Sequence, residues 1–593
     1  MAASHRNYAD LVLAHSAELA TQDAFVYLSD TAAGTGDERL SYAALDERAR
    51  RVASWLQRRD AFGRQVLVLF PSGLDFITAF VGCLYAGAVA VPAPLPAEQG
   101  HHFVRVTNIV RDAHPTAVLT NAASEPQIRA WLDAEGFDEL PVLAVDRPGY
   151  GDPAGWSPAE FGPEHLAFLQ YTSGSTSAPK GVMVTHGNLL ANEAAIQRAA
   201  GSSRSTRVGG WLPFYHDMGL IGHILHPLWL GSTGVLMSPT SFLKRPHRWL
   251  EMIDRYDVAV GGGPNFAYDL CVRRVTDEQL SRLDLSRWTV ACNGAEPIRA
   301  ETLAAFAERF APAGFRAESF FPCYGMAETT LLVTGTPAGR VPTRREANVA
   351  ALEGGALTDA GPDVPARTLV SSGVVCGDFD VRIVDPEDCS ELPNGRVGEI
   401  WVKGPSVCAG YWARPVATRD TFRAGLSGAS GPDASGWLRT GDLGVLDRGE
   451  LYVTGRIKEM ILINGRNIYP HDVERAVRDV DPALSGNGAV FSLDTGREQL
   501  VIVHEVRNAA GSPAPAELAG RVQRAVSREF AVPVENVVLV RPGGVRRTTS
   551  GKIRRTMMRE LLPAGAITPV HALLNPQVAR LIRPAPPALE PAA

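Results

Sequence analysis

Along most of the chain, short apolar runs alternate with stretches in which apolar residues recur every three or four positions. The first pattern marks buried strands and the second amphipathic helices, so the alternation predicts an α/β fold. Residues 66–70 form an unbroken apolar run of strand length, and residues 74–85 have the apolar content of a buried helix. The runs at 116–120 and 142–145 predict further strands. Past about residue 457 a smaller unit follows. Tyr469 and Pro470 make a turn, after which Val473, Ala476, Val477 and Val480 share one helical face. Residues 488–493, 499–506 and 537–540 predict strands, and Leu518, Val522, Val526 and Phe530 recur at helical spacing. That is the content of a small α+β domain. Segments 426–436 and 201–205, made largely of small and polar residues, are expected to be mobile loops, and residues 583–593 a disordered tail.

Composition narrows the class. A chain of 593 residues with 45% hydrophobic content is too long for one ordinary domain and suits a large multi-lobed body with an appendage. The net charge of −6 and the dispersed basic residues give no argument for nucleic acid or anionic membrane as partner. Seven widely spaced cysteines without a CxxC pair argue against a disulfide framework or structural zinc and suit a reducing compartment. Residues 1–30 show no uninterrupted apolar core, so no secretory signal is read there. The most apolar stretch, 74–91, is interrupted by Asp75, Gly82 and Gly87 and followed by Pro92, Pro94 and Pro96. It reads as a buried helix and turn, not a membrane span. A cytoplasmic protein is expected.

The candidate chemistry begins at Tyr171, Thr172, Ser173, Gly174, Ser175, Thr176, Ser177, Ala178, Pro179, Lys180 and Gly181. Hydroxyls, glycine and one lysine are what a phosphate requires, although the order differs from a Walker loop. A flexible Ser/Gly linker has the same composition. An apolar run at 166–171 before it and a helical stretch at 187–197 after it favour a phosphate loop between a strand and a helix. Further on, Phe320, Phe321 and Tyr324 offer aromatic faces for a purine, and Glu328 a carboxylate for Mg²⁺. An aromatic core turn with a solvated Glu reads the same. Asp442 could accept ribose hydroxyls or be an ordinary turn Asp. Arg456, Lys458, Lys552, Arg554 and Arg555 are basic residues of the kind usually found solvated.

Taken in order, these motifs resemble the adenylate-forming superfamily of acyl-CoA synthetases, peptide-synthetase adenylation domains and luciferases, from about Tyr42 to Leu562. The resemblance implies a large multi-subdomain α/β N-terminal domain, residues 1–457, and a small mobile α+β C-terminal domain, residues 458–593. It implies that Thr172, Ser173, Gly174, Ser175, Thr176 and Lys180 close over the β- and γ-phosphates of ATP. Gly294, Ala295 and Glu296 would lie along the adenine and Tyr324 would stack on it, with Gly325, Met326 and Ala327 beside the nucleotide. Glu328, with Thr176, would hold Mg²⁺, and Thr329 would touch the α-phosphate. Asp442 and Arg456 would hold the ribose, Lys458 would be the hinge, and Lys552 the catalytic lysine. Ser177 stands where many relatives have glycine.

A narrower resemblance, to fatty acyl-AMP ligases, rests on Trp211, Leu212, Pro213, Phe214, Tyr215, His216, Asp217, Met218, Gly219 and Leu220. Gly263, Pro264, Asn265 and Phe266, and Gly465, Arg466, Asn467, Ile468, Tyr469 and Pro470, support it. His216 would then sit near the substrate carboxylate, with Asp217, Met218, Gly219, Gly263 and Phe266 along the acyl site. The long segment at about 340–368 shows no obvious element and resembles an insertion of that branch, which packs on the large domain and disfavours CoA. The implied activity is ATP-dependent conversion of a medium- or long-chain fatty acid to acyl-adenylate, then transfer to the phosphopantetheine thiol of a holo acyl carrier protein or a polyketide or peptide synthase. A fatty acyl-CoA ligase is the alternative. An amino-acid-activating domain fits less well, because Asn265 and Phe266 offer no acidic anchor for an amine, and a non-catalytic scaffold has no use for Lys552.

Overall fold

The computed structural model describes residues 5–28, 36–96, 101–172, 179–463, 466–484, 486–507, 513–530, 532–548 and 552–583. Ser173, Gly174, Ser175, Thr176, Ser177 and Gly465 lie outside them, as do residues 584–593 of the expected tail.

Two large sheets carry the first 456 residues. One has the strand order Val142–Ala144, Ala117–Thr120, Gln65–Leu69, Val89–Ala93, Leu166–Thr172, Lys180–Thr185. Its neighbours are parallel except for the last pair. The Gln65–Leu69 strand is buried along its whole length, and the helix Leu74–Ala86 that follows is buried on nearly every side, which is why both read as unbroken apolar runs. The second sheet is mixed. Its parallel half contains Arg207–Gly210, Val258–Gly263, Val290–Asn293 and Phe320–Gly325 side by side. Its antiparallel half contains the long hairpin Ser435–Asp447 and Glu450–Arg456.

The chain beyond Met460 has its own four-stranded sheet, Gly488–Asp494, Glu498–Glu505, Asn536–Val540 and Pro569–Leu573. Helices Pro470–Asp479 and Pro515–Phe530 share a core with it through Val473, Val477, Val490, Ile502, Val522 and Val537.

Four expectations are corrected. Residues after the expected phosphate loop form the strand Lys180–Thr185, antiparallel to Leu166–Thr172, and the helix His186–Ala200 begins only after it. The loop therefore closes a hairpin and does not feed a helix N-terminus. The alternation of buried Val182 and Val184 with half-buried Met183 and Thr185 drives that strand. Segment 201–205 is not loose: Gly201 ends the helix with φ 62°, and Ser202 is buried against His226 at 2.9 Å. Segment 426–436 is tied down too, with Leu426 N donating to Ala434 O at 2.9 Å around a short 3₁₀ turn, Gly431–Ala434. Composition reports polarity, but not what a polar group finds to bond.

The fourth correction concerns the segment around 340–368. It contains two antiparallel strands, Arg344–Asn348 and Ala366–Val370, and the helix Val349–Glu353. Ala347, Leu352, Leu357 and Leu369 pack on Val445 and Tyr452 of the long hairpin, and Arg345 bridges Asp359 and Asp447. The same segment also reaches the C-terminal unit. Arg367 lies 3.0 Å from Asp472, donates to His471 Nε2 at 2.7 Å and covers the Tyr469 ring at 5.0 Å. Asn467 donates to Glu353 O at 3.1 Å.

Candidate active site

Four neighbouring parallel strands end at one place. The segments that leave their carboxyl ends begin at Trp211, Pro264, Gly294 and Met326. Ligand sites of open α/β sheets form outside such strand ends, because the connecting loops diverge there. The loops pack closely enough to demand glycine. A Cβ on Gly325 would lie 1.7 Å from Leu331 O, on Gly219 2.2 Å from Pro213 O, and on Gly294 2.9 Å from Cys323 Sγ. A Cβ on Gly263 would lie 3.0 Å from the Trp211 ring, which stacks on Phe242 at 3.9 Å and meets Phe266 edge-on. Phe266 N donates to Glu296 Oε1 at 2.6 Å, joining the segment that follows Gly263 to the loop of Ala295, which has φ 68°.

After Gly325 a short turn, Ala327–Thr329, buries Thr329 and ends at Thr330, whose φ of 70° is strained for a β-branched residue. The turn presents Glu328, only 8% exposed, whose Oε1 accepts from the Tyr411 hydroxyl at 2.8 Å. Burial raises the Glu328 carboxyl above its ordinary value. The Tyr411 ring carries Lys180 Nζ 4.7 Å from its centroid, so Lys180 and Glu328 are assembled around one tyrosine. No cluster of three or more His, Cys, Asp or Glu among the described residues could hold a metal alone. A single buried carboxylate fits a Mg²⁺ that takes its other ligands from phosphates and water.

Asp442, 5% exposed, accepts from the Tyr324 hydroxyl at 2.9 Å on one oxygen and from Arg456 Nε at 2.8 Å on the other. The register of the long hairpin sets Asp442 opposite Arg456. Each carboxylate oxygen keeps a lone pair for a further donor such as a ribose hydroxyl. Lys458 is exposed in the 3₁₀ turn Ile457–Glu459 that follows.

Lys552 comes from the C-terminal unit into this centre. Burial and Arg456 lower its pKa, while Asp217, Asp442 and Glu296 act on it in the opposite sense. Its loop is held by Lys552 N donating to Thr548 Oγ1 at 3.0 Å. Arg555 braces the loop's far end, donating to both Glu474 oxygens at 2.7 Å and to Glu459 at 2.6 Å. Arg555 is thus no solvated surface residue. Burial, then Arg105 and Lys552, pushes His216 down to about 3, so its imidazole is neutral at physiological pH. Asp217 accepts from Met218 N at 2.7 Å, and burial raises its carboxyl.

Several partners carried no sequence signal. Asp112, on helix His101–Ala113, accepts from the Tyr171 hydroxyl and from Arg414, each at 2.7 Å, and Arg105 of the same helix donates to Tyr171 O at 3.3 Å. Tyr411 is another. They lie far from the motifs along the chain, and only packing reveals them. A buried network, Ser202 to His226 at 2.9 Å and His226 to Glu193 at 2.7 Å, fixes the segment Ile221–Leu225 behind the site.

Residues 14–412 match the family described as AMP-binding enzyme. The medium-chain-fatty-acid–(acyl-carrier-protein) ligase JamA of Moorena producens (strain JHB) is 40% identical over 532 residues, 88% of this chain and 89% of that protein. The 4-hydroxyphenylalkanoate adenylyltransferase of Mycobacterium tuberculosis (strain H37Rv) is 37% identical and covers 94% of this chain and 91% of its own. The fatty acyl-adenylate ligase of L. pneumophila, solved with acyl adenylate and pyrophosphate, is 37% identical with a TM-score of 0.74, covering 94% of this chain and 96% of that one. No described helix is long and apolar enough to cross a membrane. With a shared fold, near-complete coverage and the strand-end site, the chain belongs to the AMP-binding enzymes, in their branch of fatty acyl-AMP ligases.

Proposed function

We propose that this protein activates a medium- or long-chain fatty acid with ATP and passes the acyl group to the phosphopantetheine thiol of a carrier protein. The observation that carries the reading is the strand-end centre, where Tyr411 joins Lys180 to Glu328 and Asp442 joins Tyr324 to Arg456, in a chain similar to fatty acyl-AMP ligases along nearly its whole length. In the first step a carboxylate oxygen attacks the α-phosphorus of ATP. The bond from that phosphorus to the oxygen bridging the β-phosphate breaks, and pyrophosphate leaves. Lys552 offsets charge growing at the α-phosphate, and neutral His216 orients the carboxylate. Asp442 and Arg456 hold the ribose, Tyr324 and the loop of Gly294, Ala295 and Glu296 the adenine, and Thr329 the α-phosphate. Lys180 and Glu328 serve the β,γ end. Magnesium supplies charge neutralisation between phosphates when bound, and Glu328, with Thr176, is the residue set that would hold it.

In the second step the thiol sulfur attacks the acyl carbonyl, the carbon–oxygen bond to AMP breaks, and AMP leaves. The unit from 458 onward turns about Lys458 to withdraw Lys552 first. The packing of the 340–368 segment on both units supports carrier protein over CoA as acceptor. A panel of radiolabelled fatty and arylalkanoic acids, read as acyl-adenylate and then as thioester with CoA and a holo carrier protein competing, tests both steps. Thioester forming faster on CoA would replace the carrier reading with an acyl-CoA ligase.

A further inference from the structure

The strand Gly398–Lys403 runs antiparallel to Ser435–Asp447 of the long hairpin, and the register between them slips once. Glu399 pairs with Leu443 and Trp401 with Arg439, so Thr440, Gly441 and Asp442 stand opposite Ile400 alone. This is a β-bulge, which bends one strand and re-aims its side chains. Gly441 turns it with φ 69°, a left-handed value that suits glycine. A bulge takes amides off the ladder, and their N–H groups then need other acceptors. Two side chains supply them. Gly441 N donates to Glu399 Oε1 at 3.0 Å, and Asp442 N donates to Thr440 Oγ1 at 3.1 Å. The Thr440 hydroxyl donates in turn to Ile400 O at 2.7 Å. The other Glu399 oxygen accepts from Trp401 Nε1 and from Arg439 Nε, each at 2.9 Å. Glu399 is 2% exposed, and a carboxylate so buried needs a cation and hydrogen bonds to compensate it. Arg439 is that cation; it lies over the buried Trp401 ring, 5.4 Å from its centroid.

We propose that Glu399 is a positioning residue for ribose recognition: with Arg439 and Thr440 it fixes the bulge that aims Asp442 at the ribose hydroxyls. The inference rests on the reading of Asp442 as ribose ligand given above. Tyr324 and Arg456 each engage one Asp442 oxygen, so the directions left for the ribose depend on where the bulge puts the carboxylate. Glu399 acts through the Gly441 amide and not on the nucleotide itself. Without its carboxylate, Gly441 N loses its acceptor and Arg439 its partner, and the bulge is free to relax and carry Asp442 with it.

The test is pyrophosphate release by the full chain with ATP, 2′-deoxy-ATP and 3′-deoxy-ATP at saturating fatty acid. Calorimetric binding of the same nucleotides reads any variant too slow to assay. The variants are Glu399→Ala, Glu399→Gln, Arg439→Ala and Asp442→Ala, each with its melting temperature. Glu399→Ala should lower kcat/KM for ATP about tenfold, the size of one hydrogen bond to a charged group. The loss with the deoxynucleotides should be much smaller, so that the preference for ATP shrinks toward that of Asp442→Ala. KM for the fatty acid should not change. Glu399→Gln keeps one oxygen for Gly441 N and should fall between Glu399→Ala and the unmodified protein. Equal losses with all three nucleotides would mark Glu399 as merely structural and overturn the inference, as would an unchanged preference for ATP. If Glu399→Ala does not fold, Glu399→Gln and Arg439→Ala decide by the same criterion. If Asp442→Ala itself keeps the full preference, the ribose reading falls and this inference with it. If Asp442→Ala loses the preference while the Glu399 variants keep it, the inference alone falls.

Discussion

Lys552 is a lysine held against its ordinary preference. Burial and Arg456 lower its pKa, so it gives up its proton, and with it the charge the proposed mechanism brings to the α-phosphate, at lower pH than a free lysine. Adenylation is therefore expected to decline on the alkaline side below the usual lysine range, in a pyrophosphate-release assay across pH. Lys552→Arg should push that decline upward in whatever activity remains. Lys552→Ala should cost about 10²–10³ in adenylation rate, the usual effect of removing one oxyanion-stabilising donor, while transfer from preformed adenylate is retained. Linkage gives a second consequence. A lysine whose folded pKa lies below its unfolded value opposes folding while it is charged, and that penalty disappears as pH rises through the two values. Lys552→Met should thus melt higher than the unmodified protein at neutral pH and lose that advantage in alkali. Gly325 is constrained differently. A Cβ there would overlap Leu331 O, a backbone atom that cannot step aside. Gly325→Ala should displace the turn bearing Glu328 and lower kcat/KM for ATP at least tenfold, with a lowered melting temperature.

Among elements, the segment around 340–368 joins what the chain keeps apart. Its apolar face packs on the long hairpin, and Arg367 clasps Asp472, His471 and Tyr469 at the start of the C-terminal unit. Arg367 and Asp472 are 12% and 14% exposed, so their pairing is better shielded from solvent than an ordinary surface ion pair. Hydrogen bonds to charged groups contribute about 1.5–3 kcal/mol. Arg367→Ala should release the C-terminal unit by an amount of that order, read as faster limited proteolysis in the 456–463 region with the core fragment intact. Equal cleavage rates would deny the segment that role. Behind the site, Glu193 and His226 form a fully buried pair. Glu193→Ala leaves the His226 ring unpartnered on that side and should cost on the order of 3 kcal/mol in denaturant unfolding.

At the scale of the molecule, Lys552 belongs to the C-terminal unit, yet the charges that act on it, Arg456, Asp217, Asp442 and Glu296, all belong to the large domain. On the proposed mechanism the Lys552 loop withdraws before the thiol attacks. Joining Arg367→Cys and Asp472→Cys with a short bismaleimide should leave one turnover of acyl-adenylate and block thioester formation, with reversal in a cleavable version of the linker. Thioester formation at the unmodified rate would show that no turn about Lys458 is needed. Much of this was readable along the chain. The strand at Gln65–Leu69 and the helix at Pro470–Asp479 announce themselves because burial on both faces and helical periodicity are local properties of a segment. The strand Lys180–Thr185 is not legible in this way, because a polar loop looks the same before a strand as before a helix. The partners that assemble the site, Tyr411 for Glu328, Asp112 and Arg105 for Tyr171, Glu474 and Glu459 for Arg555, left no trace. The sequence by itself determined the α/β class and the family, since these depend on residue type and near-neighbour spacing. Only the tertiary structure decided which carboxylates lose water and which segment reaches across two units, since those depend on residues brought together from far apart along the chain.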